Sequence, residues 1–400
     1  MKIYTESYGC TMNKAETAQI DEAIKKNGYE QTLDPADADI ILIGTCIVIQ
    51  HTENHMLKRI EELKKYNKKM VISGCLPAIK KELFAESVTI TPKELNGTLR
   101  LFNMNLDLKG IGSGYPVAIP IAQGCLGKCT YCITKLARGY LKSYPEQEII
   151  RKTELAVSLG HKEIRITAQD TAAYGKDRGT GLPELLNKII QIPGEYRIRV
   201  GMMEPRETST ILEPLLEVYE SRKIFKFIHL PVQSGDDSVL NDMKRDYTVS
   251  DFYNIVSKFK AKFSHFTFST DIIVGYPTET DESFEKSVKL VQDIKPDILN
   301  ITRFSPRPMT AAYDLKPILQ RKVKEWSRIL TQIHLKISEE NNVKLIGTVH
   351  KALVTEPGKR YFLARSEGYR PIILKDVKIN SFYDVEIVDA GNVYLIGKVI

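Results

Sequence analysis

The residues of this chain best suited to chemistry are its six cysteines, and they divide into two sets of three. Cys125, Cys129 and Cys132 are packed into one C-x3-C-x2-C run, whereas Cys10, Cys46 and Cys75 are scattered through the N-terminal region. A structural zinc site or a fully ligated iron–sulfur cluster takes four protein ligands. Three thiolates leave one metal position open, and an open position is where a small molecule can be held and changed. Two triads with no cysteine left over therefore predict two reactive clusters. A zinc ribbon explains the compact run less well, because no fourth ligand follows at ribbon spacing.

The elements that must position these thiols are legible as strand–helix units. Residues 2–8 alternate as a strand, 14–27 carry helical spacing, 39–45 form an apolar run, 52–66 a charged amphipathic helix and 70–74 a third strand. Each scattered cysteine follows the end of one of these strands, in Gly9-Cys10, Thr45-Cys46 and Gly74-Cys75. The carboxyl ends of strands in an open parallel sheet share one edge, where ligands bind, so the three cysteines are expected to meet at one rim. Strands are then predicted at 117–123, 163–167, 196–203, 225–230, 266–274 and 297–304, with helices between them at 145–159, 183–191 and 281–294. Six such units predict a partly closed barrel whose working loops lie at the strand carboxyl ends, with the compact triad in the loop after the first strand.

A helix is expected over 315–341, carrying the only tryptophan, Trp326. Short β segments at 347–355, 361–365, 371–374, 383–388 and 394–399 suggest a small terminal barrel. The organisation is thus α/β: a sheet domain over 1–105, a barrel over 115–315, a connecting helix over 316–341 and a small barrel over 342–400. A chain of 400 residues has room for about two or three domains of roughly 150 residues each.

Composition narrows the setting. No apolar run approaches the roughly 18 residues of a membrane span, and the first residues lack the basic-then-apolar layout of a leader. A soluble, cytoplasmic, monomeric protein with no membrane partner is expected. Thiols stay reduced in the cytoplasm, which argues for metal over disulfides. The net charge of +7 suits an acidic partner such as RNA. The last 59 residues hold nine basic and six acidic side chains, and Tyr361, Phe362 and Tyr369 lie among them, a combination that can hold RNA.

The compact run, with Tyr131 directly before its last cysteine, resembles the radical S-adenosylmethionine (SAM) superfamily. That resemblance implies a 4Fe-4S cluster on Cys125, Cys129 and Cys132 whose fourth iron chelates SAM and cleaves it to a 5′-deoxyadenosyl radical, with Tyr131 near the adenine. The whole chain is similar to the methylthiotransferase branch of that superfamily. The resemblance is carried by Tyr8-Gly9-Cys10-Thr11-Met12-Asn13, Gly44-Thr45-Cys46 and Ser73-Gly74-Cys75-Leu76-Pro77. Further along, Gln169-Asp170, the run from His229 to Gly235, the run from Ser269 to Pro277 and Arg303-Phe304-Ser305 match as well. The terminal module resembles a TRAM domain, and the N-terminal sheet is flavodoxin-like.

The resemblance implies a second 4Fe-4S cluster on Cys10, Cys46 and Cys75, holding a sulfur that is methylated by another SAM. It places Gln169, Asp170, Gln233 and Asp271 among the SAM contacts and lets Arg138 meet a carboxylate or phosphate. Glu204 stands where relatives often carry Asn before Pro, and Lys142-Ser143 replaces an arginine-containing run. A C–H bond on an adenine ring has no useful acidity near neutral pH, so no Ser/His/Asp machinery is nominated. Radical chemistry must come from the cofactor, with the protein supplying position and dryness.

The form of the first cysteine motif is most similar to the archaeal and eukaryotic branch. That branch converts N6-threonylcarbamoyladenosine in tRNA to its 2-methylthio derivative, with a reduced donor of flavodoxin or ferredoxin type. The alternatives within the family are isopentenyladenosine tRNA and a ribosomal protein. Outside it stand a cobalamin-dependent radical SAM enzyme, whose D-x-H-x-x-G motif is absent from the sequence, and a non-catalytic iron–sulfur RNA-binding protein.

Overall fold

The computed structural model describes residues 1–95, 97–112 and 114–400. Five parallel strands open the chain in the order Glu30–Gln31, Lys2–Ser7, Ile40–Thr45, Lys69–Gly74 and Val88–Ile90. The central Ile40–Thr45 is buried at every residue, as an apolar run covered on both faces must be. Ser7 pairs with Gly44, and Thr45 with Gly74, so the three main strands end level with one another. Helices Thr11–Lys25 and Gln50–Lys64 return along the sheet.

The two edge strands and a hairpin, Thr98–Leu101 with Met104–Asp107, were not expected. Segments of two to four residues are too short to display a period. The hairpin closes the sheet's apolar face, placing Leu101 and Leu106 against Ile20 and Ile24 of the first helix.

Six parallel strands form the middle of the molecule. Val117–Pro120, Glu163–Thr167 and Arg197–Val200 make one half, and Phe227–His229, Thr267–Val274 and Ile298–Arg303 the other. A bridge between Ile198 and Ile224, and the bond from Met203 N to His229 O at 2.9 Å, join the halves. Among the described residues the outer strands, Val117–Pro120 and Ile298–Arg303, do not pair with each other, so the barrel is open on one side. Helices Glu146–Ser158, Leu182–Ile189, Val249–Lys262 and Asp281–Ile294 are among those that cover it. The expected helix over 315–341 begins later, at Gln320, and runs to Val343. Pro317 keeps Lys316 out of a helix, and the regular helix starts three residues beyond it. Trp326 is buried in a stack on Phe284 at 4.6 Å.

The last five strands close a small barrel in the order Val349–Pro357, Phe362–Arg365, Pro371–Leu374, Leu395–Val399 and Phe382–Ala390. It caps the end of the large barrel away from the cysteine loop. Tyr369 is inserted between Phe225 and Phe227, with ring centroids 4.8 and 5.2 Å away, and its hydroxyl donates to Glu163 Oε1 at 2.7 Å. Lys351 pairs with Glu195 at 2.8 Å, and Arg370 pairs with Asp297. Tyr369 was expected to face RNA; it is instead the plug that joins two cores. Phe362 likewise packs on the small barrel's own core, and Tyr361 alone of the three aromatics stays exposed.

Because Tyr369 fills a buried slot, Tyr369→Ala should cost about 3–5 kcal/mol in denaturant unfolding. Tyr369→Phe should cost only about 1 kcal/mol, since Glu163 keeps its bond from Arg165.

Candidate active site

The scattered triad is built by close approach of strand ends. Gly9 has φ +89°, and a Cβ placed on it would lie 2.4 Å from Cys46 Cβ. Gly74 has φ +102°, and its Cβ would lie 2.4 Å from the Thr45 carbonyl oxygen. Only glycine adopts such backbone at that distance, so the chain before Cys10 can touch Cys46 and the chain before Cys75 can touch Thr45. Cys10 then caps the helix Thr11–Lys25, and Cys75 begins the short helix Cys75–Ile79. Cys10 is exposed, while Cys46 and Cys75 are buried.

Behind Cys75 stands Arg138. Its Nε donates to Cys75 Sγ at 3.2 Å, its Nη atoms reach both carboxylate oxygens of Glu16 at 2.7 Å, and Nη2 donates to Asn13 Oδ1 at 2.6 Å. Burial pushes the Cys75 thiol up to about 12, opposed by the charge of Arg138. A metal removes that proton on binding, and the guanidinium is already placed to face the thiolate.

The compact triad lies across from it, in the loop after Val117–Pro120. Gly124, at φ +76°, lets the loop approach the Tyr140 carbonyl, which would stand 2.0 Å from a Cβ. Cys125 N donates to Gly139 O at 3.3 Å. Gly127 N donates to Cys125 Sγ at 3.2 Å, and Arg245 Nη1 to Cys129 Sγ at 3.2 Å. Burial pushes the Cys125 thiol up to about 12, opposed by the N–H of Gly127, so its proton would leave only with a metal. Among the described residues no three His, Cys, Asp or Glu side chains close around a single ion. A donor set made of thiols alone, three to a group, is chemistry that suits an iron–sulfur cluster.

The residues expected at SAM fall into two groups. Gln169 Oε1 accepts from Gly124 N at 2.7 Å and props the cysteine loop. Asp170 is buried and accepts from Ala172 N and Glu204 N, each at 3.0 Å. Burial, and next the charge of Glu204, push its carboxyl up to about 7. Tyr131 packs edge-on to Tyr276 at 6.5 Å. Gln233, at φ +71°, bridges to Ile272, and Asp271 accepts from Asn300 at 2.7 Å and is bonded to His229 Nε2 at 2.7 Å. Arg138 departs from this set, since its guanidinium is committed to the scattered triad.

Two partners escaped the sequence reading. Arg245 links Cys129 to Glu204, 3.5 Å away, at a small cavity that Asp170 and Arg206 also line. Glu16 holds Arg138. Neither lies in a motif, and only the replacement of Asn by Glu204 pointed toward the first.

Residues 119–291 match the Radical SAM superfamily, and residues 2–91 match the Uncharacterized protein family UPF0004. A probable threonylcarbamoyladenosine tRNA methylthiotransferase of Archaeoglobus fulgidus is 41% identical, over 100% of this chain and 98% of the relative. The chain belongs to that methylthiotransferase family. A second member, from Methanocaldococcus jannaschii, is 38% identical over 100% of this chain and 97% of its own length. The threonylcarbamoyladenosine tRNA methylthiotransferase of Homo sapiens is 32% identical over 99% of this chain, which spans 74% of it. Among solved structures, the radical SAM methyltransferase TsrM of Kitasatospora setae superposes with a TM-score of 0.53 at 11% identity, covering 78% of this chain and 74% of its own. That likeness is one of fold.

The geometry of the Arg138 pair sets a test. Arg138→Met or Glu16→Gln alone should destabilise by about 3–5 kcal/mol, because each leaves a buried charge without its partner. The double substitution should cost clearly less than the sum of the two single effects, in a double-mutant cycle read by denaturant unfolding.

Proposed function

We propose that this protein transfers a methylthio group to N6-threonylcarbamoyladenosine in tRNA, using SAM and two 4Fe-4S clusters. The observation that carries the reading is the buried bridge of Arg138: six residues beyond Cys132, it ends on the sulfur of Cys75. The loop that carries the compact triad is thereby tied to the strand end that carries Cys75, which supports a reaction that passes a group between two cofactors.

When bound, these groups supply the one-electron cleavage of SAM and the sulfur to be transferred, chemistry that no side chain here can supply. The protein's own part is placement. Cys125, Cys129 and Cys132 would hold the SAM-cleaving cluster, and Cys10, Cys46 and Cys75 the other. Gln169 fixes the cysteine loop through Gly124 N. Asp170, with its carboxyl raised to about 7, would be about half ionised near neutral pH in a cavity that Glu204 and Glu207 also line. Tyr131, Gln233 and Asp271 would contribute to the SAM site from the barrel's working side.

The small barrel supports the choice of RNA. Three of its basic residues, Lys351, Arg365 and Arg370, are spent on ion pairs within the protein. Lys344, Lys359, Arg360, Lys375, Lys378 and Lys398 are exposed and form no ion pair among the described residues. No helix among the described residues is long and apolar enough to cross a membrane. A cytoplasmic monomer fed by a flavodoxin- or ferredoxin-type donor fits this reading.

Mass spectrometry of tRNA nucleosides from a deletion strain tests the reaction. The wild-type gene should restore the 2-methylthio derivative; its continued absence would refute the proposal. Anaerobically reconstituted protein should hold about eight irons, falling to about four when Cys125, Cys129 and Cys132 become Ala. Replacing Lys359 and Arg360 with Gln should lower the slope of log affinity against log salt by about 0.7–0.9 for every phosphate that these side chains neutralise in the wild type.

A further inference from the structure

Tyr140 stands 78% exposed in the segment that follows the compact triad. Exposure of so large a ring would ordinarily go with a loose loop, yet this backbone is fixed on both sides. Gly139 O accepts from Cys125 N, the Tyr140 carbonyl lies against Gly124, and Lys142–Ser143 pairs with Ala122–Gln123. The ring is held in place as well. Lys135 Nζ lies 4.4 Å from its centroid and donates to the carbonyls of Gly127 at 2.6 Å and Leu126 at 3.3 Å, inside the Cys125–Cys129 loop. A pinned ammonium therefore backs one face of the ring, and the rest of the ring is open.

Lys128 and Lys142 are exposed on the two segments flanking this ring, and neither they nor Lys135 forms an ion pair among the described residues. An aromatic ring set among unpaired cations is the chemistry that holds single-stranded nucleic acid: the bases stack and the phosphates are neutralised. A cation behind the ring also favours an electron-rich base in front of it.

We propose that Tyr140, backed by Lys135, is a stacking platform for an RNA base next to the adenosine presented to the cysteine loops. Lys128 and Lys142 take the adjoining phosphates. This rests on the tRNA reading above and adds to it a contact made by the radical SAM barrel itself, distinct from the small terminal barrel. It also gives the loop a way to recognise a splayed single strand and reject a closed helix, whose bases already stack on each other.

The test uses reconstituted full-length enzyme and an anticodon stem–loop RNA containing N6-threonylcarbamoyladenosine, with 2-aminopurine at a flanking position. Wild type and Tyr140→Phe should quench the fluorescence and bind alike. Tyr140→Ala should lose the quench and bind roughly ten- to hundredfold more weakly, at an unchanged salt slope. Iron content reports whether the variant loop has folded. Equal quench and affinity in Tyr140→Ala, alongside an active wild type, would overturn the platform and leave the function standing. Loss of electron delivery from a reduced flavodoxin with RNA binding intact would also overturn it, by assigning the ring to a protein partner. A wild type that neither binds nor modifies tRNA would overturn the functional reading, and the platform with it.

Discussion

A single buried arginine holds the two halves of this site together. Arg138 is carried on the barrel loop, two residues before that loop turns back toward Tyr140, and it is only 2% exposed. A guanidinium buried so deeply must be paired, and Glu16 pairs it through both oxygens. A two-point contact between a planar fork and a planar carboxylate admits one geometry, whereas apolar surfaces of the same size could slide. The Nε–H of that fork points at Cys75. The pair that fixes the N-terminal sheet against the barrel is therefore the same pair that faces one of the sulfurs.

A second brace repeats the design on the far side. Arg307, just past the last barrel strand, pairs with Glu53 and donates to Gln50 at 2.6 Å, while Lys80 closes on the other Glu53 oxygen at 2.5 Å. In both braces the arginine comes from the barrel and the carboxylate from a helix of the sheet domain. The opposite end of the barrel is closed by other means, with Tyr369 packed between phenylalanines. Buried ion pairs set the orientation of the sheet domain on the barrel, whereas the other end combines an aromatic plug with the ion pairs of Lys351 and Arg370. The small barrel accordingly has two tasks, since it completes a core and presents lysines outward.

Much of this was legible in the sequence because cysteine chemistry restricts spacing. The two triads, the strand ends before them and the six-unit barrel followed from residue type and period. What stayed hidden depended on contacts between distant segments. Arg138 was visible as a candidate, yet its partner Glu16 lies 122 residues away on a helix face that reads as ordinary. Arg245 sits outside every motif and gains meaning only where the chain returns to Cys129. Tyr369 was misjudged for a related reason: an aromatic among basic residues in a glycine-containing loop has the same local sequence whether it meets RNA or plugs a core. The edge strands Glu30–Gln31 and Val88–Ile90 were missed because pairing, not periodicity, makes them strands.

The central claim is that two cysteine triads perform separable parts of one reaction. Replacement of Cys10, Cys46 and Cys75 by Ala, assayed under reducing conditions for 5′-deoxyadenosine and for the methylthiolated nucleoside together, tests it most directly. The account predicts that 5′-deoxyadenosine still forms while the methylthiolated product disappears. Methylthiolation retained by that variant would contradict it.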